Sequence, residues 1–238
     1  MYKLIEIFNS IDGEGRRAGE LTTFIRLSGC NLSCSWCDTS YSQNGQCGEM
    51  MTLDQIMDKV RSFNCYNITL TGGEPLIHKN VNDLIIALLD GGYDVNVETN
   101  GSIDPAPYIN DPKFNNRNGN LWFTIDYKSF SSGMNDKMNV NYFKALRACD
   151  VIKFVVGSRE ELIEATKVID TLSGHYYFEE MLPGTCWEAI PQVYLSPVFG
   201  MIEPVEIVDF MKEMSFNSNV KVQVQLHKII WNPNERGV

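Results

Sequence analysis

No run of apolar residues in this chain approaches the roughly 20 that a membrane-spanning helix needs. The apolar stretch near its start, residues 4–8, is too short for a secretory leader. Basic residues are in deficit: 20 Lys and Arg stand against 30 Asp and Glu, a net charge of −10. A sequence-independent grip on nucleic acid needs the opposite balance, which argues against direct nucleic-acid binding, although a local pocket can still hold a small anion. There is no G-x-G-x-x-G stretch, no internal repeat, no low-complexity tract and no interdomain linker. The dinucleotide-binding fingerprint is therefore missing, and one domain over residues 1–238 is expected. Nor do the seven Cys, odd in number with three clustered, form the evenly paired framework of a small secreted protein. The expectation is a soluble protein of a reducing cytoplasm, with no membrane partner.

What is present is an alternation of β-branched runs and amphipathic runs. Strands are expected at residues 4–8, 22–27, 67–71, 94–98, 121–126, 150–156 and 220–226, with weaker candidates at 176–180 and 193–196. Helices are expected from the capping box of Thr52 and Gln55 to about Phe63, over 81–90 up to Gly91 and Gly92, over 158–172, and over 203–214. Residues 102–120, rich in Asn, Pro and Asp, read as an irregular loop in place of a helix. Strands alternating with helices imply parallel βαβ units. Their number implies an α/β fold of the partial (β/α) barrel kind, with a reduced helix set. Five polar motifs (residues 30–37, 72–75, 98–101, 126–128 and 225–227) fall at or just after strand C-terminal ends, the face that carries the active site in parallel barrels.

The densest chemistry lies in residues 30–37, where Cys30, Cys34 and Cys37 follow a strand in a C-x3-C-x2-C spacing. Three thiolates can hold a [4Fe-4S] cube and leave one iron open. Zinc is the competing reading, with Cys47 as a fourth ligand, although zinc sites commonly use two Cys pairs and the second pair is missing. Cys65, Cys149 and Cys186 read as ordinary thiols. Gly72-Gly73-Glu74-Pro75 after a strand would let backbone approach a ligand closely; a plain strand-to-helix turn would look the same.

Together, the cysteine spacing and the Gly-Gly-Glu-Pro about 35 residues later resemble the radical S-adenosylmethionine superfamily. Residues 10–15, 24–27, 37–39, 131–134, 153–155, 196–199, 225–228 and 236–238 resemble, within it, the 7-carboxy-7-deazaguanine synthase family. The likeness spans nearly the whole chain, and its early Gly-Glu-Gly and late Gln-x-His-Lys are its most specific parts. It implies a carbon–nitrogen lyase of the queuosine (tRNA modification) pathway. A 5′-deoxyadenosyl radical would initiate contraction of 6-carboxy-5,6,7,8-tetrahydropterin to 7-carboxy-7-deazaguanine with loss of ammonia. The implied cofactors are a [4Fe-4S] cluster on Cys30, Cys34 and Cys37, S-adenosylmethionine, and Mg²⁺ on Thr39. The implied partners are a flavodoxin or ferredoxin reductant and a second copy in a homodimer.

The same resemblance distributes roles over residues. Asp12, Gly13, Glu14, Arg26, Gln225 and His227 would bind the pterin, with Arg26 clamping its carboxylate and Glu14, Arg26 and His227 acting catalytically. Gly72, Gly73, Glu74, Thr99, Asn100, Lys128, Ser129 and Ser131 would bind S-adenosylmethionine. His78 and His175 read as structural. The chain departs from the family pattern at Asp12, where Gln is common, at Asp126-Tyr127-Lys128, and at Phe130. A glycyl-radical activase shares the cysteine spacing, and a non-catalytic zinc or iron–sulfur module is the alternative outside enzymes.

Overall fold

A computed structural model of the chain describes residues 1–115, 117–180, 191–216, 219–233 and 235–238, with side chains 175–180 outside the description. Cys186 lies outside the described residues, as does the side chain of His175. The strands are β1 (Tyr2–Ile11), β2 (Leu21–Leu27), β3 (Glu49–Met51), β4 (Asn67–Gly72), β5 (Asp94–Thr99), β6 (Leu121–Lys128), β7 (Val151–Val156), β8 (Gln192–Pro197) and β9 (Val220–Val222). The helices are α1 (Leu53–Ser62), α2 (Val81–Asp90), α3 (Ala106–Ile109), α4 (Val140–Phe143), α5 (Arg159–Glu180), α6 (Pro204–Met214) and α7 (Leu226–Ile230).

Among the described residues, these nine strands form one open sheet in the order β3-β1-β2-β4-β5-β6-β7-β8-β9. From β2 to β9 every neighbour is parallel, whereas β1 is antiparallel to both β2 and β3. The two-residue period of the strands divides the sheet's faces. One face is apolar: Ile25, Leu70, Val97, Phe123 and Phe154 are fully buried in the core that the helices cover. The other carries Arg26, Thr71, Glu98, Asp126, Lys128 and Lys153, all lining a single cavity. Helices form where local signals and burial agree. In α1 both halves of the capping box are made, with Gln55 N on Thr52 Oγ1 and Thr52 N on Gln55 Oε1. Helix α2 buries Val81, Leu84, Ile85, Leu88 and Leu89 against the sheet, each worth about 1.5–3 kcal/mol of apolar burial.

Three expectations are corrected. Residues 176–180 continue α5 and are not a strand. Residues 220–226 hold only the three-residue β9, and Gln225 instead precedes the short helix α7. The strand expected at residues 4–8 runs instead from Tyr2 to Ile11, because residues 9–11 also pair with β2. Among the described residues of 102–120 there are only the single turn α3 and a 3₁₀ turn at Pro112–Phe114. Phe114 is nonetheless buried, stacked at a tilt on Tyr108.

Candidate active site

The strand C-terminal ends open into one cavity of about 730 Å³, lined by residues of β1, β2, β4, β5, β6 and β7 and by the C-terminal residues 235–238. Cys30, Cys34 and Cys37 line it; Cys47 is exposed and does not. Burial raises the Cys30 and Cys34 thiols above their usual pKa. Among the described residues no three His, Cys, Asp or Glu side chains converge closely enough to ligate a single ion. This spacing disfavours the zinc arrangement with Cys47. A donor set of three separate thiols fits a multi-iron cluster, in which each thiolate takes its own iron.

The glycines beside the thiols have a steric reason. A Cβ on Gly73 would lie 2.2 Å from Gly29 O and 2.8 Å from Cys30 Cβ, and one on Gly72 would lie 2.2 Å from Leu27 O. The close approach is therefore between two segments of this chain, and it presses the end of β4 onto the cysteine loop. Glu74 also departs from expectation. It is fully buried and absent from the cavity wall. Its carboxylate accepts from Leu76 N, Thr99 Oγ1 and Asn100 N at 2.7–2.9 Å. Burial pushes its pKa up to about 7 against those hydrogen bonds. Thr99 and Asn100 do line the cavity, and Asn100 Nδ2 reaches Cys30 Sγ at 3.6 Å.

Arg26, Gly13, Glu14, Gln225, His227 and Thr39 are gathered in the same cavity. Arg26 donates through Nε to Glu6 at 2.8 Å, so it is already half of an ion pair. Glu14 accepts from Gln225 Nε2 at 3.2 Å and faces Lys153 Nζ at 3.4 Å, while its other oxygen, Oε1, is buried with no partner. An orphaned buried carboxylate oxygen is costly unless a ligand donor meets it. His227 stands against Gly13, where a Cβ would come within 2.3 Å of the ring's Nδ1. Burial lowers its pKa, with Glu14 and Asp38 opposing. The hydroxyl of Thr39 lies 3.7 Å from Cys37 Sγ.

Besides Glu74, three expected residues do not reach the cavity wall. Asp12 is buried against Arg17 Nε at 2.9 Å and Thr69 Oγ1 at 2.7 Å. Arg17 itself lies over the Trp122 ring and donates to Ile68 O and Asp94 O, filling the space beneath the cavity. Gln at position 12 could not form that ion pair, which is the structural sense of Asp there. Ser129 Oγ donates to Val155 O, and Ser131 Oγ accepts from Trp36 Nε1. Both hydroxyls are engaged inside the protein.

Sequence reasoning set Glu98 and Asp126 in rim motifs without giving either a role, and it missed Lys153 as a site residue. Burial would neutralise Lys153, but Asp126, Glu14 and Glu98 outweigh it and hold the ammonium well above the usual lysine pKa. Burial likewise opposes the charge of Asp126, yet Lys128 and Lys153 keep its carboxyl below the usual range. Burial pushes Glu98 up to about 7 despite Lys153. The available signal was a lone Lys within the apolar run 151–156, since a charge in a buried strand needs partners. Also missed was Gln223, whose amide makes two hydrogen bonds to the backbone of Gly15. With Leu226 N on Gly13 O, it ties the segment after β9 to the loop after β1 across the open side of the sheet.

A parallel sheet with three thiols around a cavity at its C-terminal edge defines a radical S-adenosylmethionine protein, and residues 24–154 match the Radical SAM superfamily. Over its full length the chain is 41% identical to a 7-carboxy-7-deazaguanine synthase of Clostridium acetobutylicum, covering 99% of that protein. It is 36% identical to the synthase of Chlorobaculum tepidum over 98% of this chain and 96% of that one. The crystal structure of QueE from Escherichia coli shares the fold, with a TM-score of 0.62 over 93% of both chains at 19% identity. The chain belongs to the 7-carboxy-7-deazaguanine synthase family of the radical SAM superfamily.

Proposed function

We propose that this protein is a lyase that contracts 6-carboxy-5,6,7,8-tetrahydropterin to 7-carboxy-7-deazaguanine with release of ammonia. The observation that carries the reading is the convergence of Cys30, Cys34 and Cys37 with Arg26, Glu14 and His227 on one cavity, in a chain similar to named synthases along its whole length. The cavity volume lies within the range of small-molecule sites. Loss of ammonia leaves substrate and product at the same overall oxidation level, so an electron lent at the start can be returned at the end.

Cys30, Cys34 and Cys37 would hold the cluster. Thr99, Asn100 and Lys128 would border S-adenosylmethionine. When bound, cluster and S-adenosylmethionine supply a radical that takes hydrogen from the substrate. Arg26 binds the substrate carboxylate with its terminal nitrogens, the geometry in which a guanidinium is most selective. Glu14 Oε1 accepts an N–H of the pterin edge, which gives its orphaned oxygen a partner. His227, held neutral by burial, can accept or return a proton at the ring. Lys153, together with Lys128, keeps Asp126 ionised, and its ammonium also faces Glu14 at 3.4 Å.

Mg²⁺ belongs to the proposal as well: the Thr39 hydroxyl, substrate oxygens and water suffice for an ion that keeps much of its hydration. So do a flavodoxin or ferredoxin docking beside residues 30–37, a cytoplasmic setting and a homodimer. Exposed Phe199, Ile229 and Ile230 offer an apolar surface for such an association. Among the described residues no helix is long and apolar enough to cross a membrane. The test is anaerobic incubation of the reduced, reconstituted protein with 6-carboxy-tetrahydropterin, S-adenosylmethionine and Mg²⁺. Formation of 7-carboxy-7-deazaguanine and ammonia is expected, and their absence would overturn the assignment.

A further inference from the structure

Ser158 and Glu161 stand where a capping box would open α5, but it forms only in part. Glu161 N donates to Ser158 Oγ at 3.4 Å, as a helix start requires. The Glu161 carboxylate does not simply return to its own cap. One oxygen accepts from Gly157 N at 2.6 Å, and the other crosses to Ser131 N at 2.6 Å. Glu161 is fully buried and makes no ion pair among the described residues. Both of its oxygens are thus given to backbone N–H groups, one after β7 and one after β6.

Beyond Ser131 the contacts lead straight to the cysteine loop. Ser131 O accepts from Ser35 Oγ at 2.5 Å, and Ser131 Oγ accepts from Trp36 Nε1 at 3.1 Å. Ser35 N donates to Ser132 O at 3.0 Å, and Ser33 N meets Met134 Sδ at 3.5 Å. Ser33, Ser35 and Trp36 are the residues between and beside Cys34 and Cys37. The β6 loop is itself braced by Ser132 Oγ on Ser129 O and by Ser129 Oγ on Val155 O. Cys30, by contrast, is met from other directions, by Leu32 N and Asn100 Nδ2.

We propose that Glu161 is a positioning residue for the cysteine loop: acting through the backbone of Ser131, it fixes where Cys34 and Cys37 stand relative to Cys30. A buried carboxylate that accepts from two loops over-determines both, since releasing either would leave it with a buried lone pair unmet. The consequence for cluster retention rests on reading the three thiols as cluster ligands. The clasp itself does not, and it can be read on the protein without a cluster.

The experiment measures the alkylation rate of each cysteine in the anaerobic, reduced apoprotein by iodoacetamide and peptide mass spectrometry. Glu161→Gln keeps one acceptor and loses the other. It is expected to speed Cys34 and Cys37 about three- to tenfold, the change in loop opening that a lost hydrogen bond brings, while Cys30 and Cys149 keep their wild-type rates. Unchanged Cys34 and Cys37 in the folded variant would overturn the proposal. An equal rise at all four cysteines would also overturn it, because that is general loosening. Should Glu161→Gln fail to fold, Trp36→Phe removes the indole N–H donated to Ser131 while keeping an aromatic ring under the Lys128 ammonium; a faster Cys37 supports the clasp and an unchanged one refutes it. On the reconstituted protein, Glu161→Gln should lose iron to a chelator faster than wild type, with no change in the alkylation of Cys149 in the matching apoprotein.

Discussion

Arg26 and Glu6 face each other across the antiparallel β1–β2 pair, with Arg26 Nε 2.8 Å from Glu6 Oε1. The Tyr41 hydroxyl donates to the same oxygen at 3.3 Å, and the Arg236 guanidinium lies 3.9 Å over the Tyr41 ring. One carboxylate on the first strand therefore orients the proposed substrate clamp and connects it to the C-terminal residues. The terminal nitrogens of Arg26 make no hydrogen bond among the described residues, which leaves them for a ligand.

Arg26→Ala is expected to weaken binding of the pterin carboxylate by roughly 10- to 100-fold, the worth of a charged hydrogen-bonding contact. Glu6→Gln should weaken it less, by about three- to tenfold, because the clamp remains and only its orientation loosens. Titration of the fluorescent oxidised 6-carboxypterin reads both. Iron content should match wild type in each variant; loss of the cluster in Arg26→Ala would mean that Arg26 is structural.

Glu74 satisfies three buried donors and does not face the cavity. Glu74→Ala should therefore destabilise the apoprotein by about 2–4 kcal/mol, through donors left unmet in the interior. Urea unfolding in the absence of S-adenosylmethionine measures this. An apoprotein of wild-type stability would show that the residue serves only the cofactor.

The carboxyl of Glu98, raised by burial to about 7 from 4.5, sets the sign of a pH effect. The folded state keeps a proton that the unfolded chain has already lost, so this group lowers stability progressively as pH rises from about 4.5 to about 7. Glu98→Gln stays neutral throughout. Its melting temperature should gain on wild type by a few degrees between about pH 5 and pH 7 and hold that gain above. Taking the difference cancels the opposite contributions of His78 and His227, whose burial lowers their pKa values. A difference that stays flat from pH 5 to 7 would place Glu98 as an ordinary ionised carboxylate.

Gly73→Ala places a methyl group against Gly29 O and Cys30 Cβ. It should displace the cysteine loop and lower iron per chain after reconstitution by at least about half, a backbone clash being harder to relieve than a side-chain one. Full cluster content in this variant would remove the steric account of the Gly-Gly pair.

The sequence carried the elements whose cause is local. Thr52 and Gln55 announced α1, Gly91 ended α2, and the run 67–71 became β4. It also put Cys30 and His227 in motifs at strand ends, while Arg26 and Glu14 entered through the family resemblance; all four line one cavity. It did not carry relations set by distant partners. Asp12 looked like a ligand until Arg17, which turns underneath and stacks on Trp122, took its charge. Ser131 looked like a cofactor contact, but Trp36 and Glu161 occupy its polar groups. The run 176–180 is β-branched-poor yet aromatic, and the helix begun at Arg159 simply continued through it. Lys153 was visible as an odd charge in an apolar strand, but its three carboxylate neighbours come from β5, β6 and the loop after β1.

Because the electron lent at the start of the proposed ring contraction can be returned at its end, S-adenosylmethionine would be re-formed at each turnover. The most direct measurement is the ratio of 7-carboxy-7-deazaguanine formed to 5′-deoxyadenosine released, under anaerobic turnover with excess substrate. Many product molecules are expected for each 5′-deoxyadenosine. One 5′-deoxyadenosine per event with no deazaguanine, as an enzyme that activates a protein partner would give, would contradict that expectation.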